Sequence, residues 1–140
     1  MFTRVLIANR GAIATRVIRT LQAMGIESVA VYNEADVESL HVQRADRAVS
    51  LGKGSAAETY LDMNKILAAA KAEGAEAIHP GYGFLSENTE FVSRCEAEGI
   101  TFIGPTAEQM NLFGLKHLAR DAAELAGVPL VPGSPLLSDV

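Results

Sequence analysis

The stretch Val5-Leu6-Ile7-Ala8-Asn9-Arg10-Gly11-Ala12 leads from a short apolar run into the start of a helix. The apolar run at residues 5–8 is typical of a strand that is buried on both faces. Gly25 stands further along, where a helix commonly ends. A helix between these points is indicated by apolar side chains at helical spacing, namely Ile13, Val17, Ile18, Leu21 and Met24. The chain therefore begins with a strand–helix unit.

The same alternation of strand and helix patterns continues along the rest of the chain. Further strands are predicted at residues 28–32, 47–51, 76–78 and 101–103. Helices are predicted at residues 62–73, 89–98 and 115–126, with a short helix capped by Asp36 and reaching His41, and another begun by the capping-box pair Thr106 and Gln109. This repetition predicts an α/β fold, a Rossmann-like doubly wound parallel sheet with its site in loops at the carboxyl ends of the strands.

The composition is that of one soluble globular domain, with 140 residues, 49% of them hydrophobic and 21% charged. The net charge of −5 and the scattered basic residues argue against nucleic-acid binding. No apolar run is long enough to cross a bilayer, and no signal-peptide pattern opens the chain. The single cysteine, Cys95, lies on the apolar stripe of a helix, so a reducing compartment, the cytoplasm, is expected. The three histidines lie too far apart to indicate a metal site.

The turn Asn9-Arg10-Gly11 has two interpretations. A helix that begins after a parallel strand offers free N–H groups to an anion, and Gly11 permits close approach. A Rossmann-type regulatory domain that binds a dinucleotide would need more glycines than this one. The alternative is a structural turn in which Asn9 and Arg10 bond to neighbouring loops.

The segment His79-Pro80-Gly81-Tyr82-Gly83-Phe84-Leu85-Ser86-Glu87-Asn88 is the most unusual part of the sequence. Two glycines around Tyr82 predict a tight backbone that projects an aromatic ring from the end of a strand, with the Glu87 carboxylate nearby. Such a loop can stack on a flat ligand and bring backbone amides close to an anion or a urea-like carbonyl. Equally, it can be a rigid loop that Tyr82 and Phe84 pack against the core.

Lys116 is predicted at the start of the last helix, where its charge can meet a phosphate or simply face solvent. His41 and His117 are interpreted as residues on the surface or on a helix face.

Together these motifs resemble the opening of biotin carboxylase. The resemblance is carried by residues 6–14, 79–88 and 102–105, in the order and at the spacing of that family, and it covers essentially all 140 residues. Within the family, residues 60–66, 114–117 and 127–134 are most similar to urea carboxylase, which is often part of urea amidolyase.

The resemblance implies an ATP-dependent carboxylase that forms carboxyphosphate from ATP and bicarbonate and passes the carboxyl group to N1 of biotin on a carrier domain. It implies that Lys116 contacts the nucleotide phosphates, and that Tyr82, Gly83 and Glu87 line the biotin and bicarbonate pocket. It also implies that Arg16 and Arg19 lie at the subunit interface of a homodimer. ATP, biotin and Mg²⁺ are the implied cofactors, with the Mg²⁺ ligands expected outside this chain, and the final acceptor would be of the urea type.

The resemblance further implies that residues 1–113 form the Rossmann-like pre-ATP-grasp domain. Residues 114–140 are then a helix and an extended segment leading to an ATP-grasp domain and a C-terminal lobe that the chain lacks. We therefore expect the chain alone to hydrolyse no ATP. Ala12 departs from the family, which usually has Glu there, at a cost of about 0.3–1 kcal/mol for the lost charge at the helix N-terminus. The alternative function is a non-catalytic module that dimerises through Arg16 and Arg19 or docks a carrier domain.

Overall fold

A five-stranded parallel sheet forms the centre of the fold, which a computed structural model describes for residues 1–133. The strands are β1 (Arg4–Ile7), β2 (Glu27–Tyr32), β3 (Arg47–Ser50), β4 (Ala77–His79) and β5 (Thr101–Phe102). Their order in the sheet is β3-β2-β1-β4-β5, with every neighbouring pair parallel. This is a doubly wound arrangement, so the predicted α/β class is confirmed. The extended segment predicted at residues 128–134 falls partly, and residues 135–140 wholly, outside the described residues.

Helices connect the strands at close to the predicted positions. They are α1 (Gly11–Ala23), a 3-10 helix (Glu34–Asp36), α2 (Leu40–Arg44), α3 (Met63–Ala72), α4 (Thr89–Ala97), α5 (Ala107–Gly114) and α6 (Lys116–Leu125). The capping box predicted for Thr106 and Gln109 is present at the start of α5. Asn88 caps α4 by accepting a hydrogen bond from the Phe91 N–H at 2.9 Å. Local side-chain caps therefore mark the starts of α4 and α5.

The short helix predicted from Asp36 to His41 is wrong. Asp36 ends the 3-10 helix, which Asn33 caps instead, and α2 begins only at Leu40. The Asp36 carboxylate accepts hydrogen bonds from Tyr60 and Arg10, so it has no part in capping. His41, interpreted as a surface or helix-face residue, is fully buried at 0% exposure. Contacts with distant segments override the local cap signal at Asp36 and account for the burial of His41.

The core lies on both faces of the sheet. Along β1, Val5 and Ile7 face α1, whereas Leu6 faces the cluster that includes α3 and α4. Burial on both faces explains the nearly continuous apolar run that opens the chain. Cys95 is buried in the larger cluster, as its position on the helix predicted. Within residues 1–133, no helix is long and apolar enough to span a membrane.

A single residue, Leu115, separates α5 from α6. The predicted domain division between residues 113 and 114 falls one residue before the end of α5, and the division itself stays a prediction. Helix α6 contacts α5 and has no buried side chain of its own. The five-stranded core therefore ends before α6 begins.

Candidate functional site

The candidate site lies at the carboxyl edge of the sheet, between the adjacent strands β1 and β4. The chain leaves β1 for β2 on one side, and it later enters β4 on the other side of β1. The connection after β1 runs to β2 on one side, and the connection after β4 runs to β5 on the other, which leaves a crevice between them. Doubly wound sheets bind ligands in a crevice of this kind. The turn Asn9-Arg10-Gly11 follows β1, and the loop at residues 80–88 follows β4.

Asn9 fastens this loop to the end of β1. Its side chain is 4% exposed, and Nδ2 donates hydrogen bonds to the carbonyl oxygens of Pro80 and Tyr82, each at 2.8 Å. Its Oδ1 accepts from the Arg10 N–H at 2.9 Å. Both polar atoms of this buried amide side chain are therefore hydrogen-bonded, and they hold the first part of the loop to the sheet.

The loop backbone requires both of its glycines. Gly81 has φ +68° and Gly83 has φ +65°, which L side chains rarely adopt. A Cβ on Gly81 would lie 2.7 Å from Asn9 Nδ2, so the close approach of Asn9 also depends on glycine there. Gly83 has no such neighbour, because no atom of residues 1–133 lies within 4 Å of the position of its Cβ. Gly83 thus presents an open backbone surface.

Tyr82 projects into solvent between these two glycines, with 67% of its surface exposed. Within residues 1–133, the amide N–H groups of Tyr82 and Gly83 donate to no protein acceptor. A flat aromatic ring beside two adjacent free N–H donors can stack on a planar ligand and bind its oxygen. Glu87 is also exposed, in the turn that leads to α4. The structure therefore places Tyr82, Gly83 and Glu87 on one loop.

His79 stabilises the start of the loop in its neutral form. The Gly81 N–H donates to Nδ1 of His79 at 3.0 Å, so the ring proton resides on Nε2. Burial lowers the pKa of His79, which favours the same neutral state.

His41 has a corresponding role at the turn after β1, which the sequence interpretation missed. Its Nδ1 accepts from the Gly11 N–H at 3.4 Å, and its Nε2 lies 3.3 Å from the Val31 carbonyl oxygen. The tautomer with the proton on Nε2 satisfies both contacts. Burial lowers the pKa of His41, so the imidazole is neutral. One N–H of the α1 N-terminus is therefore occupied, which weighs against a dinucleotide phosphate in this turn.

On its exit side, the loop is held by aromatic and charged contacts. The Phe84 ring stacks on Tyr60 at 5.3 Å between centroids with an interplanar angle of 3°. The Arg10 guanidinium lies 5.3 Å from the Tyr60 ring centroid and 5.9 Å from that of Phe84. The interpretation that aromatic side chains pack this loop against the core is thus correct for Phe84, whereas Tyr82 does not pack against the core.

Asp36 completes these contacts. Its Oδ2 accepts from the Tyr60 hydroxyl at 2.6 Å and from Arg10 Nη1 at 3.0 Å. Partial burial works to raise the pKa of Asp36, but the hydrogen bonds from Tyr60 and Arg10 outweigh it and lower the pKa. Burial and the Asp36 carboxylate raise the pKa of Tyr60, which therefore remains a hydroxyl donor. The sequence interpretation that Asn9 and Arg10 bond neighbouring loops is confirmed.

Lys116 belongs to helix α6 and not to the loop at residues 80–88. It is the first residue of α6, its side chain is exposed, and no hydrogen bond or ion pair within residues 1–133 joins it to Tyr82, Gly83 or Glu87. Helix α6 adjoins α5, which in turn contacts α4 through the Thr89–Asn111 hydrogen bond at 3.2 Å. The described residues thus bring Tyr82, Gly83 and Glu87 together on one loop, and they place the lysine on α6 without a hydrogen bond or ion pair to that loop.

Arg16 and Arg19 lie on the outer face of α1, where both are exposed. They line a cleft with Arg44, and none of the three forms an ion pair in the described part of the chain. Ala12 is exposed in the first turn of α1, a turn that carries no acidic residue. No group of three or more potential metal ligands occurs among residues 1–133.

Comparisons with known proteins agree with one another. A family model described as biotin carboxylase, N-terminal domain, matches residues 1–110. The urea amidolyase of Lachancea kluyveri is 58% identical over 137 residues, which is 98% of this chain and 8% of that protein. A biotin carboxylase of Halalkalibacterium halodurans is 55% identical over 134 residues, 96% of this chain and 30% of that protein. The solved structure of the Kluyveromyces lactis urea carboxylase superposes with a TM-score of 0.91 and 58% identity, over 94% of this chain and 12% of that one.

Proposed function

The chain belongs to the biotin carboxylase N-terminal domain family, and on that premise we propose that it forms one wall of the active site of a biotin-dependent carboxylase. The observation that carries this proposal is the loop after β4, where the exposed Tyr82 ring adjoins the N–H groups of Tyr82 and Gly83, which have no acceptor among residues 1–133. The chain spans 8% of the length of the urea amidolyase and 30% of the biotin carboxylase that it resembles. The activity of a whole carboxylase is therefore a proposal for this chain.

The loop suits the ligands that the proposed reaction requires. The ureido group of biotin is planar and carries a carbonyl oxygen, and bicarbonate is a small anion. The Tyr82 ring offers a flat face, and the open surface at Gly83 allows a ligand oxygen to approach the backbone. The Glu87 carboxylate faces solvent on the same loop. We assign these three residues to the biotin and bicarbonate pocket.

Lys116 supplies a positive charge for the nucleotide phosphates in this proposal. It is exposed at the first position of α6, and it has no ion-pair partner among residues 1–133. An ammonium group at that place neutralises phosphate charge without a competing carboxylate. Phosphoryl transfer depends on several such groups acting together. We assign the remaining phosphate ligands and the Mg²⁺ ligands to an ATP-grasp domain, so the isolated chain should hydrolyse no ATP.

The proposal also includes a urea-type compound as the final acceptor of the carboxyl group. Its support is the identity of 58% with a urea amidolyase over 98% of the chain, beside 55% with a biotin carboxylase over 96%. A test on the full polypeptide encoded by the gene compares urea with acyl-CoA as the substrate that stimulates ADP formation. Stimulation by an acyl-CoA and not by urea would refute the urea-type assignment.

The cytoplasmic location also stays a prediction.

A chimera tests the proposed function directly. The matching region of the Halalkalibacterium halodurans biotin carboxylase is replaced by this chain, and ADP formation that depends on both bicarbonate and free biotin is measured. We expect the chimera to be active, the same enzyme without its N-terminal region to be inactive, and Lys116→Ala to raise the KM for ATP. A folded chimera with no biotin-dependent ADP formation, judged by circular dichroism and sedimentation, would refute the proposal.

The exposed arginines favour a second role, in assembly. Arg16 and Arg19 lie one turn apart on α1 without ion-pair partners in residues 1–133, so both charges are available to a subunit interface or a carrier-docking surface. Sedimentation of the chain and of an Arg16→Glu/Arg19→Glu variant tests dimerisation. We expect a dimer that the variant disrupts, and a monomeric parent chain would refute dimerisation through this face.

A further inference from the structure

Four side chains from the connections after β1, β2, β3 and β4 meet at the carboxyl edge of the sheet; they are named the Arg10 cluster and are Arg10, Asp36, Tyr60 and Phe84. We propose that the Arg10 cluster acts as a positioning device that holds the backbone of Tyr82 and Gly83 where the biotin and bicarbonate pocket requires it. This inference rests on the proposed function. It assigns no contact with substrate to the cluster itself.

The backbone of Phe84 is the first observation that carries this inference. Phe84 has φ +43°, the one positive φ at a non-glycine residue in the described part of the chain. A bulky side chain in this region is strained, and such strain persists only where the surroundings hold it. Here the Phe84 ring lies parallel to the Tyr60 ring at 5.3 Å. The ring contact therefore compensates for a backbone conformation that glycine would adopt without strain.

The second observation is that Tyr60 is itself fixed on several sides. Its ring is buried, with 1% of its surface exposed, and its hydroxyl donates to Asp36 Oδ2 and accepts from the Asn33 N–H at 3.0 Å. The Arg10 guanidinium covers the stacked rings and pairs with the same Asp36 oxygen. Because each member contacts at least one other, the cluster offers Phe84 a rigid support.

The third observation is the placement of the two anchors. Asn9 holds the carbonyl groups of Pro80 and Tyr82, and the Phe84 ring is held directly after Gly83. The exposed Tyr82 side chain and the Gly83 N–H, which has no acceptor in the described part of the chain, thus lie between two fixed points that are only a few residues apart. Fixing a binding loop in advance removes the ordering cost from the binding step. Loss of the exit anchor should therefore weaken binding at the loop and leave the fold intact.

The first test measures loop order in the chain itself. Phe84→Leu keeps a side chain at φ +43° and removes the ring, whereas Phe84→Gly also relieves the backbone strain. We expect both variants to lower the ¹⁵N heteronuclear NOE of the Tyr82 and Gly83 amides. Phe84→Tyr, which keeps the ring, should restore it. Phe2→Leu, at a half-buried phenylalanine beside the opposite end of β1, is the matched control and should leave these amides unchanged.

The second test separates positioning from general damage. In the biotin carboxylase chimera, Phe84→Leu and Arg10→Lys should raise the KM for free biotin about tenfold, because a displaced binding group loses alignment. The KM for ATP should stay unchanged. Lysine keeps the charge at position 10, but its ammonium cannot cover the stacked rings as a planar guanidinium does.

The outcomes are distinct. Unchanged NOE values in Phe84→Leu, or equal shifts in both KM values, would overturn the positioning role even if the chimera is active. An inactive parent chimera would instead refute the proposed function, while the NOE comparison would still decide whether the Arg10 cluster orders the loop.

Discussion

Replacing Gly81 by alanine should lower the free energy of unfolding by more than the same replacement at a glycine of similar φ with free space around it. The left-handed backbone alone costs an L residue about 1–2 kcal/mol. The new Cβ would also lie 2.7 Å from Nδ2 of Asn9 and 3.0 Å from its Cγ. Because Asn9 is 4% exposed, its side chain has little room to move.

Displacement of Asn9 weakens its hydrogen bonds to Pro80 and Tyr82. Each is worth about 0.5–1.5 kcal/mol net. The total loss in the free energy of unfolding is then about 2–5 kcal/mol, of which about 1–3 kcal/mol comes from Asn9.

Gly83→Ala is the matched control, because Gly83 has nearly the same φ and, among the residues that the structure describes, no atom within 4 Å of its Cβ position. It should cost only the backbone strain, about 1–2 kcal/mol. Gly99→Ala, at φ +70° and equally uncrowded, repeats the control away from the loop.

Urea unfolding followed by circular dichroism measures all three variants, together with Asn9→Ala and the double variant Asn9→Ala/Gly81→Ala. Asn9→Ala removes the two nearest atoms, Nδ2 and Cγ, and leaves only Cβ, at 3.1 Å. The two changes together should therefore lower the free energy of unfolding by less than the sum of their separate effects. Equal destabilisation by Gly81→Ala and Gly83→Ala, or strict additivity in the double variant, would refute the assigned contact.

Three further outcomes are expected. Burial lowers the pKa of His41 and of His79 below 6.5, so their stabilising effect is complete above that pH and is lost as the pH falls through the folded-state pKa values. The free energy of unfolding should therefore decline between about pH 7 and 5, and His41→Gln should flatten this decline. An unchanged slope in both His41→Gln and His79→Gln would contradict the prediction. Burial raises the pKa of Cys95 to about 11, so a thiol reagent at pH 8 should modify the folded chain only as fast as it opens, and immediate labelling would contradict the burial. Phe91→Ala removes a fully buried ring that meets Phe102 edge-on and should cost about 3–5 kcal/mol in thermal or urea unfolding; a loss below 1 kcal/mol would show that the site is not packed as described.

Much of the candidate site was visible in the sequence because its signals are local. Two glycines around Tyr82 predicted a tight, projecting loop, and the loop does expose that ring. The choice between a ligand-binding and a packed loop stayed open, since both use the same residues. The structure divides the two parts, with Phe84 packed and Tyr82 free. The roles assigned to Lys116, Arg16 and Arg19 rest on resemblance and await the tests above.

The sequence by itself determined the order of strands and helices, the capping box at Thr106 and the burial of Cys95, because each depends on residues within a turn or two of one another. Only the tertiary structure decided that His41 is buried and that Asp36 pairs with Arg10 and Tyr60 in place of capping a helix. The partners of Asp36 lie 26 and 24 residues away along the chain. Contacts of that kind exist only once parallel strands bring their carboxyl ends to one edge, and no periodicity or local motif encodes them.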